Sequence, residues 1–330
     1  MVRVWCSSSW VWATERAAVR TGVERETRSS GPTRPRVACL LRVWDARGDC
    51  VVVGGGGLEW LGDKDVLAKA LDGSGLVPET HLVAWDAQEV GDVVMPETRP
   101  AVLKPPLGCG GEGIAFVQNA EQVLELVSRD AAQARKEPGF LESIEARKGR
   151  IPSWVVQAHV RSVLLHGHKF HARVYVVRTP QDALLMYDGV ELRIAEKAYE
   201  EGGFEDRGRH ITNGAGAGKT RREMLDEHSV ELPGVSRALE TLAKALSPVL
   251  LQRAQLPGVY GIAALDAMMD ADSGQAVLLE INTCRPACPP EGMGSQPFQA
   301  HLPDFIEAIL RLVLFKSTSS SSFIELSPPE

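Results

Sequence analysis

The chain has 330 residues, 44% hydrophobic and 24% charged, and a net charge of −7. That is enough length to bury a sizeable core in two or three packed subdomains, with the composition of an ordinary water-soluble protein. The acidic balance argues against nucleic acid, which wants a basic face, and no apolar run reaches the ~18–20 residues that cross a bilayer.

Residues 1–36 hold seven Arg and three Glu among many Ser and Thr, a composition faintly like an organelle transit peptide. They are read as a disordered extension or a misassigned start, with order beginning near Arg36. "RVACLLRVWD" and "CVVVGGGG" read as short strands closed by glycine. "DKDVLAKALDGSG" places Val66, Leu67, Ala70 and Leu71 at helical spacing and stops at Gly73, and "ETHLVAWD" is a further strand. "PAVLKPPLGCGGEGIAFVQNAEQVLELVSRDAAQARK" reads as strand, glycine loop, strand and helix, the helix capped by Asn119 with Gln122 three residues on.

Residues 137–152 are charged and predict an exposed connection. Strands follow in "SWVVQAHV", "KFHARVYVVRT" and "ALLMYDGVELRIA", then a polar loop from Glu200 to Arg222 and a helix around Ser236–Arg253. In "VYGIAALDAMMDADSGQAVLLEINT" the turn signal Asp272-Ser273-Gly274 predicts a hairpin. A last helix from Pro303 to Phe315 is expected to pack through Phe305, Ile309, Leu310 and Leu312. The Ser-rich tail after Lys316 is read as disordered.

Six cysteines are scattered along the chain, which fits reduced thiols in a cytoplasmic protein. Cys284-Arg-Pro-Ala-Cys288 lacks the second pair that a zinc tetrad needs. Two further motifs imitate phosphate loops. Gly54 to Gly57 fits no G-x-G-x-x-G register and predicts a turn, and "NGAGAGKT" has Asn213 in place of the first P-loop glycine and no strand feeding it. Gly108-Cys109-Gly110-Gly111-Glu112-Gly113 does match G-x-G-x-x-G, but the apolar, β-branched "IAFVQ" that follows predicts a strand pair rather than a dinucleotide-binding helix. Such a tip can fold backbone N–H groups over phosphate, with Lys104 as the cation. The competing reading is a plain hairpin with a surface lysine.

Asp266 falls on one strand of the predicted hairpin. Glu280 and Asn282, two residues apart on the return strand, share a face. Three oxygen donors beside a phosphate lid suit magnesium. His166, His168 and His171 look like a second metal cluster, but Gly167 breaks their common face. From Lys169 the alternation puts Lys169, His171, Arg173 and Tyr175 on one side and Phe170, Ala172, Val174 and Val176 on the other. Two cations flanking His171 favour phosphate over a divalent metal.

In order along residues 61–315, "KDVLAKAL…LVPETHLV", "VLKPPLGCGGEGI", "VVQAHV", "LLHGHKFHARVYVV", "YDGVELR", "HITN" and "YGIAALDAMMD…LLEINT" resemble the tubulin–tyrosine ligase-like group of the ATP-grasp ligases. The resemblance implies an α+β ATP-grasp fold. Residues 37–100 would form a small N-terminal subdomain, 101–160 a central subdomain with the lid, and 161–315 a C-terminal subdomain with the metal; 316–330 would be the tail. It implies ATP held by Lys104 under Gly108, Gly110, Gly111 and Gly113. Adenine would be read by Gln157 and the backbone of His159 and Val160. Lys169, His171, His210, Thr212 and Asn213 would lie around the nucleotide, and Lys64 would be a further lysine near it. Arg173 would contact phosphate or the acyl-phosphate, Arg193 would position the amino acid, and Asp266, Glu280 and Asn282 would hold Mg2+.

The implied reaction joins an amino acid, with glutamate as the first expectation, to an acidic protein acceptor such as the tubulin C-terminal tail. A monomer in the cytoplasm or on the cytoskeleton is expected, with no nucleic-acid or membrane partner. His171 stands where the family has aspartate in K-F-D-L-R, and Ala158 where it has lysine in Q-K-Y. Two alternatives therefore stay open: a nucleotide-binding scaffold without ligation, and a ligase of small molecules. Arg207, Arg209, Lys219, Arg221 and Arg222, in the loop 203–222, form a basic island that could steer an acidic peptide or simply be solvated.

Overall fold

The computed structural model describes residues 3–5, 41–44, 50–54, 56–98, 100–107, 110–213, 221–225, 232–255, 257–283, 304–305, 307–309, 311–313 and 322–326. In chain order these give β1 (Arg3–Trp5), β2 (Leu41–Trp44), β3 (Cys50–Gly54), α1 (Lys64–Ala70), β4 (Thr80–Val83), β5 (Ala101–Lys104), β6 (Ala115–Val117), α2 (Ala120–Arg135), α3 (Phe140–Lys148) and β7 (Trp154–Ala158). Then come β8 (Leu164–Leu165), β9 (His168–Arg178), β10 (Leu184–Tyr187), β11 (Glu191–Ile194), α4 (Arg207–His210), β12 (Arg221–Met224), α5 (Val235–Leu250), β13 (Val259–Met269), β14 (Ala276–Asn282) and β15 (Phe323–Glu325).

Two sheets carry the site. The smaller runs β4-β7-β5-β6, all antiparallel, and α2 covers it through Val123 and Val127, which join Val83, Leu103, Val117, Trp154 and Val156 in one core. The larger is built on β9 and β13, eleven residues each, paired antiparallel from Gly261–Arg178 to Ala267–Ala172. β3 is parallel to β13, β10 and β11 flank β9, and β14 flanks β13.

Side-chain alternation divides β9 as expected. Phe170, Ala172, Val174 and Val176 enter the main core with α5, whose Leu239, Leu242, Ala243, Leu246 and Leu250 form one helical stripe. The opposite face changes character along the strand. Lys169, His171 and Arg173 are its buried polar end. Tyr175 and Val177 pack in a second core with Phe305, Ile309 and Leu312, three of the residues assigned to the last helix. Leu310 lies outside the described residues.

Asn119 caps α2 as predicted, its Oδ1 accepting from the Gln122 N–H at 3.0 Å. The Gln122 side chain accepts instead from the Gln118 N–H at 2.7 Å, one residue before the usual capping-box donor. The predicted glycine turn is present at Gly56 and Gly57, where φ is positive. A Cβ on Gly56 would stand 2.4 Å from the Gly261 Cα, so the turn presses on β13 where only glycine fits.

Three expectations need correction. Residues 137–152 are not a bare connection: they contain α3, bounded by Gly139 and Gly149 in the left-handed region and anchored by fully buried Ile144. One apolar anchor gives no periodic stripe, so the pattern was invisible. The tail contains β15, which pairs with β10 and buries Phe323 and Leu326; the edge of β10 supplies partners that composition cannot foretell. The segment 1–36 includes β1, which pairs with β2.

Helix α1 joins the two sheets. Asp65 is 2% exposed and accepts from both Arg150 terminal nitrogens, one at 2.9 Å, and from the Ser153 N–H at 3.0 Å. Asp63 beside it takes Lys148 and Arg150. Burial pushes the Asp65 carboxyl up, but the bonds from Arg150 and Ser153 and the Arg150 charge outweigh this and hold it below its ordinary value. Asp65→Ala is therefore expected to destabilise the fold by about 1–3 kcal/mol near neutral pH. A depressed carboxylate stabilises above its unfolded value, here 3.8, and loses that contribution as the pH falls through the folded one. Urea midpoints of the two proteins should converge in acid, and a gap independent of pH would show that the ion pair is not its source.

Candidate active site

A cleft lies between the two sheets. The small sheet supplies Lys104 at the end of β5, Gln157, His159 and Val160 on and after β7, and the glycine tip between β5 and β6. The large sheet supplies Lys169 and His171 from β9, Asp266 from β13 and Glu280 from β14, and His210, Thr212 and Asn213 come from the end of α4 and beyond. Lys64, at the start of α1, also lines the cleft.

Of the sequence-predicted residues, Gly110 and Gly111 line the cleft while Gly113, Arg173, Arg193 and Asn282 are not part of its lining. Gly108 lies outside the described residues, as do Cys284 and Cys288. Reasoning from motifs missed the apolar lining: Val102, Ile114, Phe116, Ile211, Met268 and Leu279. The alternation in Ile114-Ala115-Phe116 was an available signal, placing Ile114, just before β6, and Phe116 on one face.

The carboxylate group owes its form to a bulge. Asp266 pairs with Glu280 but Ala267 with Leu278, so Leu279 is an extra residue in β14. Strict alternation would put Leu278 on the face of Glu280. The bulge lets Leu278 and Ile281 both enter the core while Glu280 faces the cleft, and the Leu279 carbonyl accepts from Lys104 Nζ at 3.3 Å. Asn282 Nδ2 donates to Asp266 Oδ2 at 3.0 Å and to Glu280 Oε1 at 3.2 Å. The two carboxylates so gathered are hard donors that suit magnesium, whereas Asn282 presents its amide nitrogen to them and would offer its oxygen to an ion only with the amide turned over.

Register also sets the charges behind the wall. Arg173 pairs with Asp266 across β9 and β13 and with Glu191 across β9 and β11; His171 pairs with Arg193. The Arg173 guanidinium forks onto Asp266 with both bonds at 2.6 Å. Nε and Nη2 of Arg173 thus hold Asp266, the group expected to help hold the metal. Burial raises the Asp266 carboxyl, but the charge of Arg173, that of His171 when protonated, and the Arg173 bonds outweigh it and hold the group far below the usual carboxylate range. Arg193 donates to Glu191 at 2.9 Å and to Asn213 Oδ1 at 3.4 Å.

The cleft lysines are buried and mostly held by neutral groups. Lys104 donates to Gln157 Oε1 at 2.6 Å, and Gln157 Nε2 donates to Thr80 at 3.0 Å. Burial lowers Lys104 to about 8, with Glu280 and Asp266 opposing and Lys64 assisting. Lys169 lies 2.5 Å from His159 Nε2, and burial lowers it to about 8. Burial also takes His159 to about 3, with the Lys169 and His210 charges assisting. His171 falls to about 3 through burial and the nearby arginines against the pull of Asp266. It is a neutral ring, sharing a 2.5 Å hydrogen bond with Thr212, while its Nε2 is buried without a hydrogen-bond partner. His159, Phe116, Phe204 and His210 make an aromatic wall, with Phe204 stacked on His210 at 4.7 Å.

The histidine cluster separates as the alternation predicts: His166 and Gly167 form a positive-φ turn before β9, and His168 bonds the Ala195 carbonyl. Among the described residues no group of three or more His, Cys, Asp or Glu could hold a metal. The stretch "NGAGAGKT" runs into β12, a strand where a P-loop requires a helix. The described part of the basic island is engaged internally: Arg209 with Asp206 and Glu200, Arg221 with Glu223, Arg222 with Glu191, and Arg207 with two carbonyls of the glycine tip. Lys219 lies outside the described residues.

Burial leaves two of the amines that line the cleft near 8. Inorganic tripolyphosphate is expected to bind more weakly as the pH is raised from about 7 to about 9, because Lys104 and Lys169 lose their protons over that range. Calorimetric titration at several pH values measures this, and tighter binding at the alkaline end would contradict it.

The sequence model of the tubulin-tyrosine ligase family matches residues 63–257, well over half of the chain. The match begins at α1 and stops before β13, so Asp266, Glu280 and Asn282 lie beyond it. No curated protein matches the chain closely enough to count as a relative.

Proposed function

The chain belongs to the tubulin-tyrosine ligase family, whose fold is ATP-grasp and whose members are ATP-dependent ligases; from that premise we propose that it joins an amino acid to an acidic protein acceptor, foremost a tubulin C-terminal tail. The observation that carries this reading is the single cleft in which Lys104 of one sheet and Lys169 of the other face Asp266 and Glu280 beside a glycine tip. Subdomains 101–160 and 161–315 act as its two jaws.

The reaction proceeds in two stages. The γ-phosphoryl of ATP passes to a carboxylate oxygen and ADP leaves. The amine nitrogen of the second substrate then attacks the acyl carbon, its N–H proton passes to solvent, and phosphate departs. The chain contributes position and charge: Lys104 and Lys169 bind phosphate oxygens, and the aromatic wall around His159 and His210 takes the base. Arg173 holds Asp266 ionised and oriented, and Arg193, beside Asn213, positions the amino acid. Asp266, Glu280 and Asn282 would hold Mg2+, which the family generally uses and which would neutralise charge on the transferring phosphoryl group.

Glutamate is the amino acid we favour, making the product a glutamylated tail, and the enzyme acts as a monomer in the cytoplasm on cytoskeletal tubulin. Incubation with ATP, Mg2+ and each amino acid, followed by mass spectrometry of tubulin and total protein, should reveal one mass increment on an acidic segment. ATP turnover with only small amines and acids would assign a small-molecule ligase, and no turnover a nucleotide-binding scaffold.

Two variants test individual residues. Glu280→Gln removes one carboxylate charge with little change of shape, and ligation should fall by at least about 100-fold with thermal stability retained. His171→Asp restores an acid where this chain has a neutral ring, and nucleotide affinity should hold or rise. A large loss of affinity in His171→Asp would assign the histidine a role of its own.

A further inference from the structure

Arg207 lies on the large-sheet side of the cleft yet bonds to the small-sheet tip. Its Nη2 donates to the Gly111 carbonyl at 2.6 Å and its Nη1 to the Ile114 carbonyl. The two carbonyls bracket the second half of the glycine loop. The Ile114 N–H also approaches the Gly111 carbonyl, at 3.4 Å, so Arg207 grips a turn that its own hydrogen bond closes only weakly. In a trans peptide the C=O and the following N–H point in opposite directions. Holding the Gly111 oxygen toward Arg207 therefore turns the Glu112 N–H away from it, and Gly110, Gly111 and Glu112 all line the cleft.

The element that carries Arg207 is anchored. Asp206 accepts from the Gly208 N–H at 3.2 Å and pairs with Lys197 at 3.0 Å and Arg209 at 3.2 Å. The Lys197 N–H donates to the Gly208 carbonyl at 2.9 Å. Around this grip the surfaces are in close contact: a Cβ on Gly111 would stand 2.9 Å from Ile211 Cγ2, and Phe116 lies 5.3 Å from Phe204 and 5.2 Å from His210 between ring centres.

We infer that Arg207 is a positioning residue that straps the glycine tip of the small sheet to the large sheet, setting the tip's backbone N–H groups over the phosphates of the bound nucleotide. The residue read from sequence as part of a surface for an acidic acceptor thus acts on the nucleotide side. This rests on the proposal that the cleft binds ATP. A planar guanidinium fork suits two carbonyls at once, whereas an ammonium on a flexible stem can satisfy only one of them well.

Hydrogen exchange of the nucleotide-free full-length protein, comparing wild type with Arg207→Ala, tests the strap without reference to any ligand. The amides from Gly110 to Ala115 are expected to exchange at least about tenfold faster in the variant while those of α2 and α5 keep their protection; equal rates at the tip would overturn the inference. ATP titration then tests its purpose. The dissociation constant should rise about tenfold in Arg207→Ala, as loss of a charged hydrogen-bond donor predicts, and by an intermediate amount in Arg207→Lys. A tip that loosens without any loss of affinity would overturn the positioning role. Absence of ATP binding by the wild type would instead bring down the nucleotide reading itself, and with it the role given to Arg207, whatever the exchange rates show.

Discussion

The ion pair of Arg173 and Asp266 is the constraint on which the site depends. Both side chains are buried, and they sit opposite each other on the two longest strands of the large sheet. Either charge alone in that interior would cost several kcal/mol, on the order of what removing one partner of a buried pair costs. A slip of one residue between β9 and β13 would bring Arg173 opposite Leu265 or Ala267 and leave both charges stranded, so the pair fixes the register. The registers of the flanking strands add the remaining polar neighbours: His171 beside Arg193, Glu191 beside Arg173, and Glu280 beside Asp266.

In this arrangement Arg173 is paired from behind the cleft. Two of its guanidinium nitrogens hold Asp266, and Lys104 and Lys169 are among the cations that line the cleft. These come from opposite sheets, and each is depressed by its own burial. Part of the positive charge at the cleft is therefore conditional on pH. The helix bearing Lys64 is held by carboxylates on either side of that lysine, so the brace between the sheets and the lining of the cleft are parts of one segment.

Much of this was legible in the sequence where one rule operates at a time. The alternation along Lys169–Val176 predicted both faces of β9, Asn119 announced its helix, and Asp272-Ser273-Gly274 its turn. Residues widely separated in sequence, such as Lys104, Lys169 and Asp266, were assigned to one site by resemblance, and the fold brings them to one cleft. What could not be read arises from pairing between distant segments. Helix α3 depends on a single buried side chain, β15 on the free edge of β10, and the commitment of Arg207 on two carbonyls nearly a hundred residues earlier. Neither propensity nor spacing encodes such partners, and a basic cluster that looks solvated in sequence proves to be mostly paired.

The bulge at Leu279 makes β14 a strand read in two frames. Before it, even-numbered residues such as Ala276 and Leu278 belong to the core; after it, the odd-numbered Ile281 does. One inserted residue acts here as a frameshift does in a message, changing the meaning of every position downstream without altering any of them. Glu280 and Asn282 owe the face they share to that shift rather than to their own chemistry: strict alternation carried through Leu279 would turn the carboxylate to the core side with Leu278 and send Ile281 out.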